Sequence, residues 1–178
     1  MGLTLIELLV TLSIAVILLA VAVPGMQDFM RRNRVDSATS DLVAAFNYAR
    51  SESIRQGVRV SVCKSADGAT CDPAACDTAT RAHCWDRGWI VFTNPDDDHT
   101  VDAGETVLRV YQSLPAGVTV NVAGDTTFRV RITYQPSGRI TNAVGGSFFI
   151  CSGSAAYARR IALIGSGRVR TEAASTCA

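Results

Sequence analysis

Leu3-Thr-Leu-Ile-Glu7-Leu-Leu-Val-Thr-Leu-Ser-Ile-Ala-Val-Ile-Leu-Leu-Ala-Val-Ala-Val23 is a run of twenty-one residues with no Lys, Arg, Asp, Asn, Gln or His and one ionisable side chain, Glu7. At about 1.5 Å rise per residue it reaches roughly 31 Å as a helix, enough to cross a hydrocarbon core of roughly 30 Å. The helix of a small soluble domain keeps a polar face, and this run has none. Residues 3–23 are therefore predicted to span a membrane. A carboxylate facing lipid costs roughly 2.5 kcal/mol or more, so Glu7 needs a cationic partner or a water-lined path. No basic residue precedes Arg31. That leaves a free α-amino group, on this chain or on a neighbouring copy.

Beyond the span, Pro24-Gly25 predicts a kink, because proline removes a backbone hydrogen bond and crowds the preceding turn. Phe29, Val35, Ala38, Leu42, Ala45, Phe46, Ala49 and Ile54 then recur at three- and four-residue steps, the stripe of an amphipathic helix that packs on a sheet. One helix from about Thr4 to Arg55 follows, ended by Gln56-Gly57 with glycine as the cap. Arg31, Arg32 and Arg34 stand just outside the span, where basic side chains reach lipid headgroups. From Val58 the period changes to two. Val58–Val62, Val118–Val122 and Phe128–Ile132 alternate, Trp89–Phe92 and Phe148–Ile150 are short apolar runs, and Arg160–Ile164 followed by Arg168–Arg170 closes the chain. Glycine- and proline-bearing turns separate them, and strands without intervening helices make an antiparallel sheet or sandwich. The expected fold class is α+β: a long N-terminal transmembrane and amphipathic helix packed on an antiparallel β-sheet head. Its parts are residues 1–2 as a leader remnant, 3–23 in the membrane, 24–55 as the amphipathic continuation and 56–178 as a β-rich head of one domain.

Gly2-Leu3-Thr4-Leu5-Ile6-Glu7-Leu8-Leu9, with the apolar run behind it, resembles the class III signal of type IV pilins and type II secretion pseudopilins. The resemblance implies cleavage by a prepilin peptidase after Gly2 and N-methylation of the new terminus at Leu3, which stands where the family more often has Phe. It also implies that Glu7 meets the terminal amine of an adjacent subunit in a filament. The anchor would lie in the inner membrane and the head in the periplasm, with other pilins or pseudopilins as partners. Family leaders carry Lys or Arg before the glycine, whereas this sequence reads Met1-Gly2. Either the start lies upstream or the leader is unusually short. Tyr48-Ala49-Arg50-Ser51-Glu52-Ser53, the Gly88-Trp89-Ile90-Val91-Phe92 run, the Gly138-Arg139-Ile140 turn and the terminal Gly167-Arg168-Val169-Arg170 are similar, in that order, to the GspH/FimT branch. That branch includes the H-type pseudopilin of type II secretion and the FimT and FimU minor pilins.

Six cysteines follow the span, and an even number in a chain exported past a membrane argues for disulfides. Six cysteines allow fifteen pairings. The expected set is Cys151 with Cys177 tying the tail, Cys63 with Cys84, and Cys71 with Cys76 inside that loop. A zinc site is the rival, but gaps of seven, four and seven residues contain no C-x2-C knuckle.

Charge is unevenly spread. Nine acids lie between Asp67 and Glu105 against Arg81 and Arg87, and seven arginines with no acid lie between Arg129 and Arg170. Within the acidic part, Asn94, Asp96, Asp98, Thr100, Asp102 and Glu105 take the ligand positions of a calcium-binding EF-hand loop. His99 replaces the glycine of the sharp turn and no helix precedes the loop, so an acidic surface hairpin is expected and no metal is assigned. In the basic part, Arg168 and Arg170 share one face of a strand, with Arg159 and Arg160 one hairpin upstream. A guanidinium is a planar fork suited to phosphate oxygens, and such a patch binds duplex DNA through its backbone. Sixteen Arg to one Lys also reflects compositional bias, and strand faces are often charged. The resemblance adds that FimT proteins of DNA uptake carry a similar G-R-x-R tail that contacts DNA.

Two histidines, no glycine-rich phosphate cradle and no serine elbow exclude the common catalytic schemes, so the chain reads as no enzyme and as needing no cofactor. The functions that remain are pilus or pseudopilus assembly and priming, DNA capture for uptake, and calcium-dependent adhesion.

Overall fold

The computed structural model describes residues 4–80, 84–141 and 144–177, the side chains of residues 21–24 and 154–156 excepted. Helix α1 runs from Leu5 to Gln56, through Pro24 and Gly25, close to the expected bounds. Thr4 begins it: its hydroxyl accepts from the Glu7 N–H at 3.4 Å, and Thr4-x-x-Glu7 is the capping-box spacing. Gly57 ends it at φ +70°, donating its N–H to the Ser53 carbonyl at 3.1 Å. The chain divides into two compact units, one ending at Asn33 and one starting at Arg34.

In the second unit Val35, Ala38, Leu42, Ala45, Phe46 and Ala49 of α1 are buried, as their spacing predicts. The stripe is shorter than its apolar residues suggest, because Phe29 and Ile54 are exposed. The position one turn beyond Ala49 that faces inward is Ser53, fully buried, whose hydroxyl donates to the Arg50 and Gln135 carbonyls at 2.9 and 3.0 Å. At 3.6 residues per turn, residue 53 is in phase with residues 42, 46 and 49, and residue 54 is rotated off the stripe.

Among the described residues the strands are β1 (Val60–Lys64), β2 (Trp89–Thr93), β3 (Val107–Tyr111), β4 (Val118–Ala123), β5 (Arg131–Tyr134), β6 (Gly146–Ser152), β7 (Ser154–Leu163) and β8 (Val169–Ala174). They form two four-stranded antiparallel sheets, ordered β3-β2-β1-β5 and β4-β6-β7-β8. The α1 stripe shares one core with residues of both sheets. Phe148 on β6 is its aromatic centre, 5.1 Å from the ring of Phe46, 5.0 Å from Trp85 and 5.3 Å from Phe128. Strand β1 lies between β2 and β5 and is buried along its whole length. Val60 and Val62 face the helix side, while Cys63 joins Cys71, Ile90 and Phe92 in a second cluster.

Three elements differ from the sequence expectation. Strand β3 is additional to the expected strands, since Val107-Leu-Arg-Val-Tyr111 does not alternate cleanly; it is an edge strand, exposed at Arg109 and Val110. The expected strand Phe128–Ile132 divides into helix α2 (Thr126–Val130) and β5. The Asp125 carboxylate accepts the Phe128 N–H at 2.7 Å, a helix N-cap that curls the segment, and Trp85 Nε1 donates to the Arg129 carbonyl at 2.7 Å at its end. The third is the disulfide pattern. Cys151 pairs with Cys177 as expected, but Cys63 pairs with Cys71 and Cys76 with Cys84, in place of Cys63 with Cys84 and Cys71 with Cys76.

Local turn chemistry accounts for that correction. One Asp67 oxygen accepts the N–H groups of Ala69 and Thr70, each at 2.9 Å, and the Asp72 N–H returns to the Lys64 carbonyl at 2.9 Å. The chain after β1 thereby folds back and brings the Cys71 Cα within 5.7 Å of Cys63. Asp77 makes the same turn with Ala79 and Thr80, and Cys76 lies 4.5 Å from Cys84 between Cα atoms. Non-reducing peptide mapping of thiol-blocked protein should recover the 63–71, 76–84 and 151–177 linkages; a 63–84 peptide would contradict the fold of this loop. The Cys151–Cys177 link spans 26 residues, so the double change Cys151→Ser with Cys177→Ser should lower stability by about 3.5 kcal/mol on chain entropy. Urea denaturation of the detergent-solubilised protein measures it.

Candidate functional site

Glu7 is exposed on α1 among Leu5, Ile6, Leu8 and Leu9, all more than half exposed. The large apolar residues continue exposed to Leu19. Among the described residues, α1 is the one helix long and apolar enough to cross a membrane. The processing positions Gly2 and Leu3 lie outside the described residues.

The seven arginines between 129 and 170 do not form the single basic face that their sequence suggests. In β7, Arg159 and Arg160 are adjacent and so point to opposite sides of the sheet. Arg159 lies on the side of Ile161 and Leu163, and its Nε meets the Asp36 carboxylate of α1 at 2.7 Å. That bond holds the Arg159 guanidinium pKa above its usual value. Arg160, on the other side, pairs with Glu172 directly across on β8 at 2.8 Å and donates to Ser147 Oγ at 3.0 Å. Arg131 is buried and pairs with Asp97 at 2.7 Å. Carboxylates from outside the stretch therefore neutralise three of its arginines.

Arg168 and Arg170 are exposed, and neither has an ion pair among the described residues. Val169 between them packs against the core, which turns both arginines outward from edge strand β8 and the turn before it. That turn closes through the Gly167 N–H on the Ile164 carbonyl at 2.8 Å, with Gly167 at φ +77°. Of the four expected DNA-contact residues, the structure leaves Arg168 and Arg170 available and engages Arg159 and Arg160 with acids.

The loop from Asn94 to Glu105 covers the outer side of the first sheet through Val101. Its EF-hand-like spacing is used differently. Asn94, the first position, is fully buried, and its amide donates to Ser61 Oγ at 2.9 Å and to the Asp98 carbonyl at 3.1 Å. Asp97 is the one non-glycine residue at positive φ among the described residues, +64°, and both its carboxylate and its carbonyl accept from Arg131. Asp98 accepts from the Thr100 hydroxyl and N–H, which holds its pKa below the usual carboxylate range. Burial, with Asp96, Asp98 and Asp102 nearby, raises that of Glu105. The carboxylates of Asp96, Asp98 and Asp102 lie within 4.8 Å of one another on the surface. The loop is an acidic hairpin scaffolded by Asn94 and Arg131.

The family model described as type II transport protein GspH matches residues 38–167. The chain belongs to the GspH family. It is thus a structural subunit of the pilin or pseudopilin kind and not an enzyme. Two crystal structures of the type IV minor pilin FimU from Pseudomonas aeruginosa share the fold of this GspH-family chain. One has a TM-score of 0.58 at 21% identity, over 84% of this chain and 96% of that one; the other has 0.55 at 20%, over 80% and 96%. No curated protein sequence matches significantly.

Sequence reasoning missed Arg131, which reads as one of a row of exposed strand arginines. It also missed Thr4, although the capping-box spacing is visible. Asp97→Ala should leave the buried Arg131 guanidinium without its neutralising carboxylate and cost about 2–3 kcal/mol, whereas Asp102→Ala, at an exposed position, should change the urea midpoint little. Equal midpoints for the two variants would mean that the Arg131 pair does not hold the loop.

Proposed function

We propose that this chain is a minor pilin of a type IV pilus whose head contacts the backbone of duplex DNA during uptake. In this reading a prepilin peptidase cleaves after Gly2, Leu3 becomes the N-methylated terminus, residues 3–23 anchor the subunit in the inner membrane, and residues 56–178 stand in the periplasm. The exposed apolar length of α1 supports the anchor. An exposed carboxylate at Glu7 supports pairing with the terminal amine of a neighbouring subunit, since an unpaired charge in lipid is costly. The observation that carries DNA contact is the exposed, unpaired couple Arg168 and Arg170, kept while neighbouring arginines are matched to acids. A patch of this kind holds phosphates without reading bases.

A second reading keeps assembly and drops DNA: an H-type pseudopilin of type II secretion, or a FimU-like priming subunit. The family description and the FimU likeness favour it. One titration separates the two. Detergent-solubilised protein should bind a labelled duplex of mixed sequence at low salt. Arg168→Gln with Arg170→Gln should flatten the slope of log affinity against log salt by roughly 1.8, about 0.9 for each phosphate no longer neutralised. No binding by the wild type would leave the assembly reading alone.

For assembly, Glu7→Leu should leave membrane insertion intact and remove the subunit from sheared filaments. Incorporation at the wild-type level would end the amine-pairing role.

A further inference from the structure

The chain contains two copies of one short string, Ser137-Gly138-Arg139-Ile140 and Ser166-Gly167-Arg168-Val169, and the structure builds both as the same turn. In the first, the Gly138 N–H closes on the Gln135 carbonyl at 2.8 Å and the Gln135 N–H on the Arg139 carbonyl at 2.8 Å. In the second, the Gly167 N–H closes on the Ile164 carbonyl at 2.8 Å and the Ile164 N–H on the Arg168 carbonyl at 3.3 Å. Both glycines are left-handed, at φ +74° and +77°. In each copy the residue after the arginine packs inward, Ile140 buried and Val169 against the core, so the arginine is left in solvent.

The two turns leave different sheets and meet. The Ile140 N–H donates to the Gly165 carbonyl at 3.3 Å. The glycine backbones pack so closely that a methyl group on Gly167 would collide with the Gly138 carbonyl oxygen. Arg139 and Arg168 thus project from adjoining turns held by main-chain contacts. A third cation lies beside the first turn: a side chain at Gly138 would come within 3.2 Å of Arg50 Nε, and that Nε is buried with no hydrogen-bond partner. No ion pair to Arg50, Arg139 or Arg168 occurs among the described residues.

We infer that the paired turns form one phosphate-binding surface, in which Arg139 contacts the duplex backbone alongside Arg168 and Arg170, with Arg50 reinforcing the local positive field. This rests on the DNA-contact reading above and extends it to a residue 29 positions upstream of Arg168. Two guanidinium groups on separate, mutually braced turns engage separate phosphates without rearranging the fold, which lowers the ordering cost of binding.

The test uses the detergent-solubilised full chain, a labelled mixed-sequence duplex and a salt series from about 50 to 200 mM. Arg139→Gln should flatten the salt slope by roughly 0.9, so that this fourfold rise in salt costs the wild type roughly 3.5-fold more affinity than it costs the variant. Arg139→Lys, which keeps the charge, should restore the slope. Arg129→Gln removes an exposed arginine whose Nε is bound to the Gly124 carbonyl, and it should leave the slope unchanged. If the wild type binds and Arg168→Gln with Arg170→Gln weakens it, but Arg139→Gln keeps the wild-type slope, the paired-turn surface is overturned and the DNA-contact reading stands. The same effect from Arg129→Gln would replace the surface by a response to overall charge. Absence of wild-type binding would overturn both readings together.

Discussion

The head depends on Phe148. Its ring touches Phe46 from the helix, Trp85 from the turn before β2, and Phe128 from the short helix α2. Each such pair contributes about 0.5–1.5 kcal/mol beyond the apolar area it buries. The ring therefore joins the helix to parts of the chain that share no backbone hydrogen bonds with β6. Two glycines make room for this arrangement. A Cβ at Gly124 would come within 2.7 Å of the Phe128 ring, and one at Gly146 would strike the same ring. Because α2 is held against Phe148, β5 starts at Arg131, and the placement of β5 beside β1 follows.

Arg131 extends that constraint to the acidic loop. It enters the first sheet buried, a position that a guanidinium tolerates only with its donors matched. Asp97 and Thr133 supply acceptors, and His99 Nδ1 lies 3.3 Å from its Nε. The left-handed backbone at Asp97 is stabilised by the same contacts. A loop whose spacing suggests a cation site is instead organised around a cation that the protein carries itself.

The distribution of charge on the surface follows from topology. Asp36 lies 123 residues before its partner Arg159, and Asp97 lies 34 before Arg131. Such pairs remove arginines from the exposed basic surface wherever a strand faces the helix or the inner loops. Four arginines of the stretch have no ion pair among the described residues: Arg170 on edge strand β8, Arg168 on the turn before it, Arg139 on the turn that abuts that one, and Arg129 at the end of α2. Long-range neutralisation leaves the outward charge concentrated at the two glycine-arginine turns.

The sequence by itself determined the long helix with its apolar first part, six of the eight residues of its expected buried stripe, the cap at Gly57 and most strands, because these depend on composition and on periods of 3.6 and 2 within short windows. It also determined the GspH/FimT kinship, whereas the structure places only Arg170 on β8 and Arg168 on the turn before it. Only the tertiary structure decided the partners of Arg131, Arg159 and Arg160, the pairing of Cys63 with Cys71, and the meeting of Gly138 with Gly167. The pairing of Cys63 came from side-chain hydrogen bonds in the Asp67 turn, which apolar periodicity does not register. The arginine partners and the glycine contact join residues far apart in the chain, and their proximity is set by which sheet each strand enters.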